Sequence, residues 1–338
     1  MHRYAGNAPA RVSREIRRSV VLLSALVALN LPQLAAATGD SAAEALRALK
    51  ATASINKVAI LDAVRAGRRI TAVGERSLVF VSDDEGENWS ARPTATEKSL
   101  TSVTLQPDGV LLATGHSGLL LRSEDGGNHW RQAPLPASQK EALLGSLTLA
   151  DGRILAFGGY ASLLESADGG RSWTQRSILD AEIDKHFYGM AASNESLVLV
   201  GEAGLIAVSG DRGAAWQVVP SPYHGSLFGV SALANGAFVA YGMRGKILCS
   251  VDQGRSWREL ESDTKSPFFS GTVLKDGRLL LAGKDGVLAM LASDGQSVET
   301  RYTPDHRTVS RIVETSGDEW LLFGEAGARR VQWKNLKK

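Results

Sequence analysis

The sequence predicts an all-β chain folded as a seven-bladed β-propeller, and three observations carry that expectation. A box of the form S-x-D-x-G-x-x-W recurs five times, a ladder of glycines continues the same period to seven units, and a short apolar run precedes each ladder glycine. Short strands repeated at a fixed period of roughly 40–45 residues are the signature of propeller blades.

The boxes fall at Ser82/Asp84/Gly86/Trp89, Ser123/Asp125/Gly127/Trp130, Ser166/Asp168/Gly170/Trp173, Ser209/Asp211/Gly213/Trp216 and Ser250/Asp252/Gly254/Trp257. Successive copies are 41, 43, 43 and 41 residues apart and use five of the seven tryptophans. Eight residues ahead of each box serine stands Gly74, Gly115, Gly158, Gly201 or Gly242, and the ladder goes on to Gly283 and Gly324. Counting onward from Gly283 gives Leu291, Ser293, Gly295 and Val298, a sixth box that keeps only its glycine.

Within each unit the strands follow in order. Turn sequences such as Pro107-Asp108-Gly109, Asp151-Gly152, Asn235-Gly236 and Asp276-Gly277 read as tight hairpins. Each leads into a continuous apolar run, for example Ile154 to Phe157 or Leu279 to Ala282, which suits a strand covered on both faces. A second hairpin follows the ladder glycine, then a strand such as Leu119 to Arg122 enters the box, and the box tryptophan opens a fourth strand. The last unit supplies three strands, so residues 54–60 are expected to close the ring by pairing with the terminal blade.

Ahead of the repeats, residues 1–37 read as an export signal. Arg3, Arg11, Arg14, Arg17 and Arg18 face a single acid, Glu15; an apolar run from Val20 to Leu31 ends at Pro32; and Ala35-Ala36-Ala37 offers a cleavage site after Ala37. The run falls short of the about 20 residues of a comfortable transmembrane helix, so an uncleaved anchor is the alternative. Ser19, Val20 and Val21 suit the twin-arginine route poorly, which favours general secretion, and the absence of a cysteine after the run excludes a lipoprotein. Residues 38–53, with Ala42, Ala43, Ala45 and Ala48, form a linker or short helix, and residues 54–338 form the propeller.

The whole chain has a formal charge of +2 and a pI of about 8.6. Removing residues 1–37 takes away five arginines and one glutamate and leaves 33 basic against 35 acidic residues. The mature chain is near neutral, so nucleic-acid binding loses its only support. The single cysteine, Cys249, excludes a disulfide framework and reads as a buried thiol. Six scattered histidines without ligand spacing give a metal centre no support, and no cofactor is expected.

The box residues have a structural task. The aspartate accepts backbone N–H groups of its own turn, the serine adds a local bond, the glycine permits an unusual backbone angle, and the tryptophan packs between neighbouring blades. Catalysis or calcium binding is disfavoured, because a site does not recur identically in five blades whereas a folding unit must.

These boxes are Asp-box, or bacterial neuraminidase repeat, motifs, and the form S-x-D-G-G-x-x-W at Ser123–Trp130 and Ser166–Trp173 resembles that of the photosystem II stability/assembly factor family. The likeness runs from about Val58 to Trp333. It implies a non-catalytic propeller beyond the inner or thylakoid membrane, monomeric, that assists assembly of a membrane protein complex by binding the complex or its exported loops. No small-molecule substrate is expected.

Because strands alternate direction, the hairpins after the ladder glycines and the loops between blades share one face, and the boxes lie on the other. Function is sought on the first face. Its hairpins present Glu75, Arg76, His116, Tyr160, Glu202, Arg244, Lys284, Asp285 and Glu325. Its loops carry a recurring basic or imidazole group, Lys98, Lys140, Lys185, His224, Lys265 and Arg307, accompanied by Phe187, Tyr188, Tyr223, Phe268, Phe269 and Tyr302. With Arg76 and Arg244 they form a candidate rim for an acidic partner, set against solvated loop charge, since Glu97, Glu141, Asp184, Asp263 and Asp305 sit nearby. The competing function is a sialidase-like glycosidase using Glu75 and Glu325 with Arg76 and Arg244 in the same tier; against it, no blade has a long insertion to shape a sugar cleft.

Overall fold

The computed structural model describes residues 48, 50–179, 184–316 and 319–338. The expected export signal and most of the expected linker lie outside the described residues. The described part is a seven-bladed all-β propeller.

Blade 1 is β1 (Ile60–Ala66), β2 (Arg69–Gly74), β3 (Val79–Ser82) and β4 (Ser90–Arg92). Blade 2 is β5 (Leu100–Leu105), β6 (Leu111–Gly115), β7 (Leu119–Ser123) and β8 (Arg131–Gln132); blade 3 is β9 (Leu143–Thr148), β10 (Ile154–Gly158), β11 (Leu163–Ser166) and β12 (Thr174–Gln175). Blade 4 is β13 (Phe187–Ser193), β14 (Ser196–Gly201), β15 (Ile206–Ser209) and β16 (Gln217–Val218); blade 5 is β17 (Leu227–Ala232), β18 (Phe238–Gly242), β19 (Ile247–Ser250) and β20 (Arg258–Leu260). Blade 6 is β21 (Phe268–Val273), β22 (Leu279–Gly283), β23 (Val287–Leu291) and β24 (Val298–Tyr302), and blade 7 has β25 (Val309–Glu314), β26 (Trp320–Gly324) and β27 (Gly327–Val331). All pairings are antiparallel. The first strand of each blade packs on the first strand of the next, and β25 packs on β1 to close the ring.

Each ladder glycine ends the second strand of its blade, and its role is close approach. A Cβ at Gly158, Gly201, Gly242, Gly283 or Gly324 would collide with the carbonyl just ahead of the blade's innermost strand. That carbonyl accepts the next N–H of the hairpin, as in Gly159 to Ala142 at 2.9 Å and Glu202 to His186 at 3.0 Å. Apolar surface drives the rest: the seven hydrophobic clusters each join two neighbouring blades, and β6, β10, β18, β22 and β26 are buried along their whole length. In the preceding turns, Asp108, Asp151, Asn235 and Asp276 accept the N–H two residues on at 3.0–3.1 Å.

All five boxes make the same network. The hydroxyls of Ser82, Ser123, Ser166, Ser209 and Ser250 donate to Asp84, Asp125, Asp168, Asp211 and Asp252 at 2.7–2.9 Å. The same oxygens accept the N–H groups of Gly86, Gly127, Gly170, Gly213 and Gly254 at 2.7–2.9 Å. Each aspartate accepts the N–H four residues on at 2.9 Å, and the indole N–H groups of Trp89, Trp130, Trp173, Trp216 and Trp257 donate to the glycine carbonyls at 2.8–3.2 Å.

One expectation for the box is met and extended, and one needs correction. The glycines were expected to supply an unusual backbone angle. Gly86, Gly127, Gly170, Gly213 and Gly254 do have φ of 80–89°, which only a residue without Cβ adopts freely. They also clear space, since a Cβ at Gly86, Gly127, Gly170 or Gly254 would press on Leu321, Thr71, Leu112 or Val198 of the preceding blade, and one at Gly213 on Leu197 of its own. The tryptophans were expected to be packed between blades. Each does reach the seam with the preceding blade, as Trp89 does edge-on to Phe323 at 5.8 Å. Only Trp173 is buried there, however; Trp89, Trp130, Trp216 and Trp257 are half-buried, because the box leads into the outermost strand, beyond which the blade offers no further cover.

A further use of the box is not visible in the motif. Its residue between Asp and Gly turns its carbonyl outward, and an arginine of the preceding blade donates to it: Arg330 to Glu85, Arg69 to Gly126, Arg122 to Gly169 and Arg153 to Arg212, at 2.6–3.0 Å. Charge-assisted bonds of this kind staple blade to blade at the rim.

Ring closure corrects the sequence expectation for residues 54–60. They add no strand to blade 7; Ile60 begins the innermost strand of blade 1, and Ile55–Lys57 forms a 3-10 turn whose backbone abuts Gly327 at the start of β27. The ring closes through β25 and β1 instead. Ser310 Oγ donates to Ile60 O at 2.6 Å, and Arg311 Nε lies 3.2 Å from Ala63 O and 3.3 Å from Asp62, whose carboxylate also accepts Val103 N–H and Ser102 Oγ of blade 2.

Candidate binding face around the channel mouth

The hairpins after the ladder glycines and the inter-blade loops share one face, tied together by backbone bonds such as Gly118 N to Glu141 O (2.8 Å) and Ala161 N to Lys185 O (2.8 Å). Each innermost strand begins there with a bulge. The register shifts between Ile60 and Asp62, Leu100 and Ser102, Leu143 and Gly145, Phe187 and Gly189, Leu227 and Gly229, Phe268 and Ser270, and Val309 and Arg311. A bulge takes one side chain out of the alternation and re-aims it. The residues so placed are Leu61, Thr101, Leu144, Tyr188, Phe228, Phe269 and Ser310.

Three consecutive blades put an aromatic ring at this position, and the rings touch in sequence. Tyr188 meets Phe228 at 5.5 Å and Phe228 meets Phe269 at 5.5 Å. His186 extends the row to Tyr160, with centroids at 6.0 and 4.6 Å. Tyr160 stands at a hairpin tip with φ of 51°, is 57% exposed, and donates its backbone N–H to His186 Nδ1 at 3.0 Å. Phe269 is 36% exposed. The left-handed backbone belongs to this hairpin position, since Arg76, Ser117, Ala203, Arg244 and Asp285 also have φ of 51–57°; what sets Tyr160 apart is a ring left in solvent. Burial and the Glu202 carboxylate push the Tyr188 phenol pKa up, so it stays neutral. At the other four positions Thr101 donates to Leu143 O and Ser310 to Ile60 O, while Leu61 and Leu144 are aliphatic and half-buried.

The sequence-predicted rim lies around this mouth. Lys98, Lys140, His224, Lys265, Arg307, Arg76 and Arg244 are exposed and Lys185 is half-buried. Among the described residues none of the eight pairs with a carboxylate within 4 Å; Lys98 Nζ donates to Ser117 O at 3.1 Å. The aromatics named with them divide. Phe187 and Phe268 are core, Tyr223 and Tyr302 brace loops through Met243 O and Thr264 Oγ1, and Tyr188 and Phe269 join the row. Phe228 and His186 were not singled out from the sequence, although Phe228 sits directly after a buried residue aligned with Phe187 and Phe268. Glu75 is exposed, and the Glu325 carboxylate accepts Thr308 N–H at 3.1 Å.

The boxes take no part in this mouth. Gly86, Gly127, Gly170, Gly213 and Gly254, with the indoles from Trp89 to Trp257, spend their polar groups inside their own turns, so they belong to the folding unit and not to a binding site. The box aspartates are similarly committed. Their N–H and hydroxyl donors hold Asp84 and Asp252 at a pKa of about 2, and Asp125, where burial opposes, is also held at about 2 by His129 and Ser123; Asp168 and Asp211 are lowered by the same kind of donors.

A model of the family described as Photosynthesis system II assembly factor YCF48 matches residues 147–322. The chain belongs to this family. The matched segment holds the whole aromatic row, and the rest of the propeller continues the same repeat on either side. Among solved structures the family member is similar to one titled YCF48 bound to D1 peptide, with a TM-score of 0.66 and 19% identity over 81% of this chain and 92% of that one. It is also similar to YCF48 from Cyanidioschyzon merolae (0.66, 14%, covering 83% and 97%) and to a virginiamycin B lyase from Staphylococcus aureus (0.68, 14%, covering 82% and 95%). At these identities the likeness shows the propeller fold. No curated protein matches the chain.

Proposed function

We propose that this protein is an exported, non-catalytic scaffold that binds an exported segment of a membrane protein complex at the channel mouth and assists assembly or stability of that complex. The observation that carries the reading is the row Tyr160–His186–Tyr188–Phe228–Phe269, a set of touching rings on the loop face, bordered by cations without a carboxylate partner among the described residues. Exposed aromatics with a basic border are the side chains that anchor protein interfaces. Family membership supports the assembly role, and the D1 peptide held by a YCF48 of the same fold supports a polypeptide as the ligand class. The Arg-rich segment and apolar run of residues 1–37 support export to the periplasm by a cleaved signal, with an uncleaved anchor as the alternative.

The test is affinity capture of the tagged, full-length protein from the envelope fraction, with wild type beside Phe228→Ala and Phe269→Ala. At least a tenfold loss of one co-purifying membrane complex in both variants is the expected result. Undiminished capture removes the row from the contact surface. Turnover of a fluorogenic glycoside that Glu75→Gln or Glu325→Gln abolishes replaces the scaffold with an enzyme.

A further inference from the structure

Among the described residues six sheets have four strands and the seventh has three. In blades 2, 3 and 4 the third strand passes its outward carbonyls to the fourth: Leu120 O accepts Ala133 N–H at 2.9 Å, Leu163 O accepts Arg176 N–H at 2.9 Å and Ile206 O accepts Val219 N–H at 3.0 Å. These three residues pair with Thr114, Phe157 and Val200, each one before a ladder glycine. Ala328 pairs in the same way with Phe323, so it and Arg330 turn their amides outward from β27. Among the described residues nothing bonds those amides. Burial agrees: β3, β15, β19 and β23 are buried throughout, whereas every residue of β27 after Gly327 is only half-buried.

Three usual protections of a sheet edge, shortness, proline and a bulge, are missing here, and the charge of Arg329 and Arg330 is what guards it. The fourth strands β8, β12 and β16 have two residues each, too short to template another chain. β27 has five, without proline or bulge. Among the described residues the neighbouring segments reach only the Gly327–Ala328 end and bond neither outward amide. The tail turns away to blade 6, where Lys337 and Tyr302 exchange backbone bonds at 2.8 and 3.0 Å. On the other side the chain enters past Gly327 as a 3-10 turn; Ala48, Lys50 and Ala51 are helical, and Lys50 Nζ is committed to Thr96 O at 2.7 Å. Ala-rich sequence of that kind favours helix over strand.

The chemistry of the edge selects the occupant. From Gly327 to Lys338 the sequence has five Lys and Arg and no Asp or Glu. Arg329, with a side chain 17% exposed, has Nε and Nη1 without acceptors, and its nearest carboxylate, Asp305, is 3.6 Å away. In the other blades the matching residue is apolar, for example Phe80, Leu121 or Leu164. A residue added opposite Arg329 would present its side chain on the same side of the sheet. We infer that the outer edge of β27 is a docking edge for an extended acidic segment of a partner protein, which adds as the antiparallel fourth strand of blade 7 with a carboxylate opposite Arg329. This deepens the proposed polypeptide-binding role by giving it a second surface, and main-chain bonds would supply affinity while the carboxylate sets register.

The experiment titrates full-length protein with a capped octapeptide alternating Asp with Val or Thr, and with its Lys-for-Asp counterpart, following backbone amides by NMR and hydrogen exchange. Expected are slow exchange at Ala328 and Arg330 only with the acidic peptide, at least tenfold weaker binding in Arg329→Glu, and unchanged binding in Phe228→Ala. Protection of both amides in the free monomer assigns the edge to this chain's own segment, and protection that appears only on self-association assigns it to a second copy; either overturns the proposal. Binding abolished by Phe228→Ala but not by Arg329→Glu overturns it while leaving the mouth as the peptide site. Unchanged exchange at millimolar acidic peptide overturns it in wild type, whatever the stability of the variants.

Discussion

Blades 1 to 5 and blades 6 and 7 share the same inner three strands but finish their outer edges differently. In the first five a box of eight residues sets the outer turn by itself, through serine, aspartate and glycine, and sends a tryptophan into the seam with the preceding blade. In the last two no complete box is present, and the seam between them is filled from the tail: Leu336 is buried there, and Trp333 meets Trp320 at 6.0 Å and stacks under Arg301 at 4.8 Å. The inner strands and their apolar clusters are enough to close the ring, and the box standardises the outer turn. Where it is lost, packing is recovered by other residues; blade 6 keeps its fourth strand, and among the described residues blade 7 has none.

The comparison breaks most sharply at the tryptophans. Trp173 is 6% exposed and its indole N–H is bonded, so Trp173→Ala is expected to cost about 3–5 kcal/mol in urea unfolding while leaving capture of the partner intact. A larger loss of partner than of stability would give the box a binding role. Trp333→Ala, at a half-buried site, is expected to cost less, about 2 kcal/mol, with faster amide exchange confined to blades 6 and 7. Exchange that rises equally in blades 2 and 3 would show that the two halves unfold as one unit.

Serine to alanine sharpens the comparison further. Ser166→Ala strips a bond from Asp168 and leaves Gly170 N–H unpaired, at an expected cost of about 1–2 kcal/mol; Ser293→Ala, in the degenerate sixth box, is expected to fall within about 0.5 kcal/mol of wild type. Acid tests the same network. The box aspartates have lowered pKa values in the fold, so their stabilisation is complete above the ordinary aspartate range and fades as the pH falls from about 4 to about 2. The urea midpoint is expected to drop across that window, and Asp84→Asn to flatten the drop. The smallest effect on stability belongs to the mouth: Tyr160→Ala removes an exposed ring and is expected to change unfolding by no more than about 0.5 kcal/mol.

How far each feature could be read in advance follows from where its partners lie. The box was legible because all its bonds span two to four residues, so spacing alone encodes them. How deeply each box is covered was not, since the burial of Trp173 and the partial exposure of Trp257 depend on the blade next door. The glycine ladder was legible as a period, while its cause, a carbonyl pressed against the missing Cβ, needed the fold. The closing strand over residues 54–60 was misplaced because an incomplete last blade suggested a missing partner, and the ring found its closure in β25 against β1. Tyr188, Phe228 and Phe269 lie about 40 residues apart by the blade repeat, and only the bulge in each innermost strand brings their rings into line.

By itself the sequence determined the number of blades, the identity of the box and the face on which loops gather, because each rests on short-range hydrogen bonding and a fixed repeat. The tertiary structure decided the rest. The arginine staples, the Asp62–Arg311 contact between the first and last blades, the aromatic row and the open edge of β27 all depend on which blades become neighbours and how each strand is turned. Those contacts join side chains one or more blades apart, and their geometry is set by packing the ring shut.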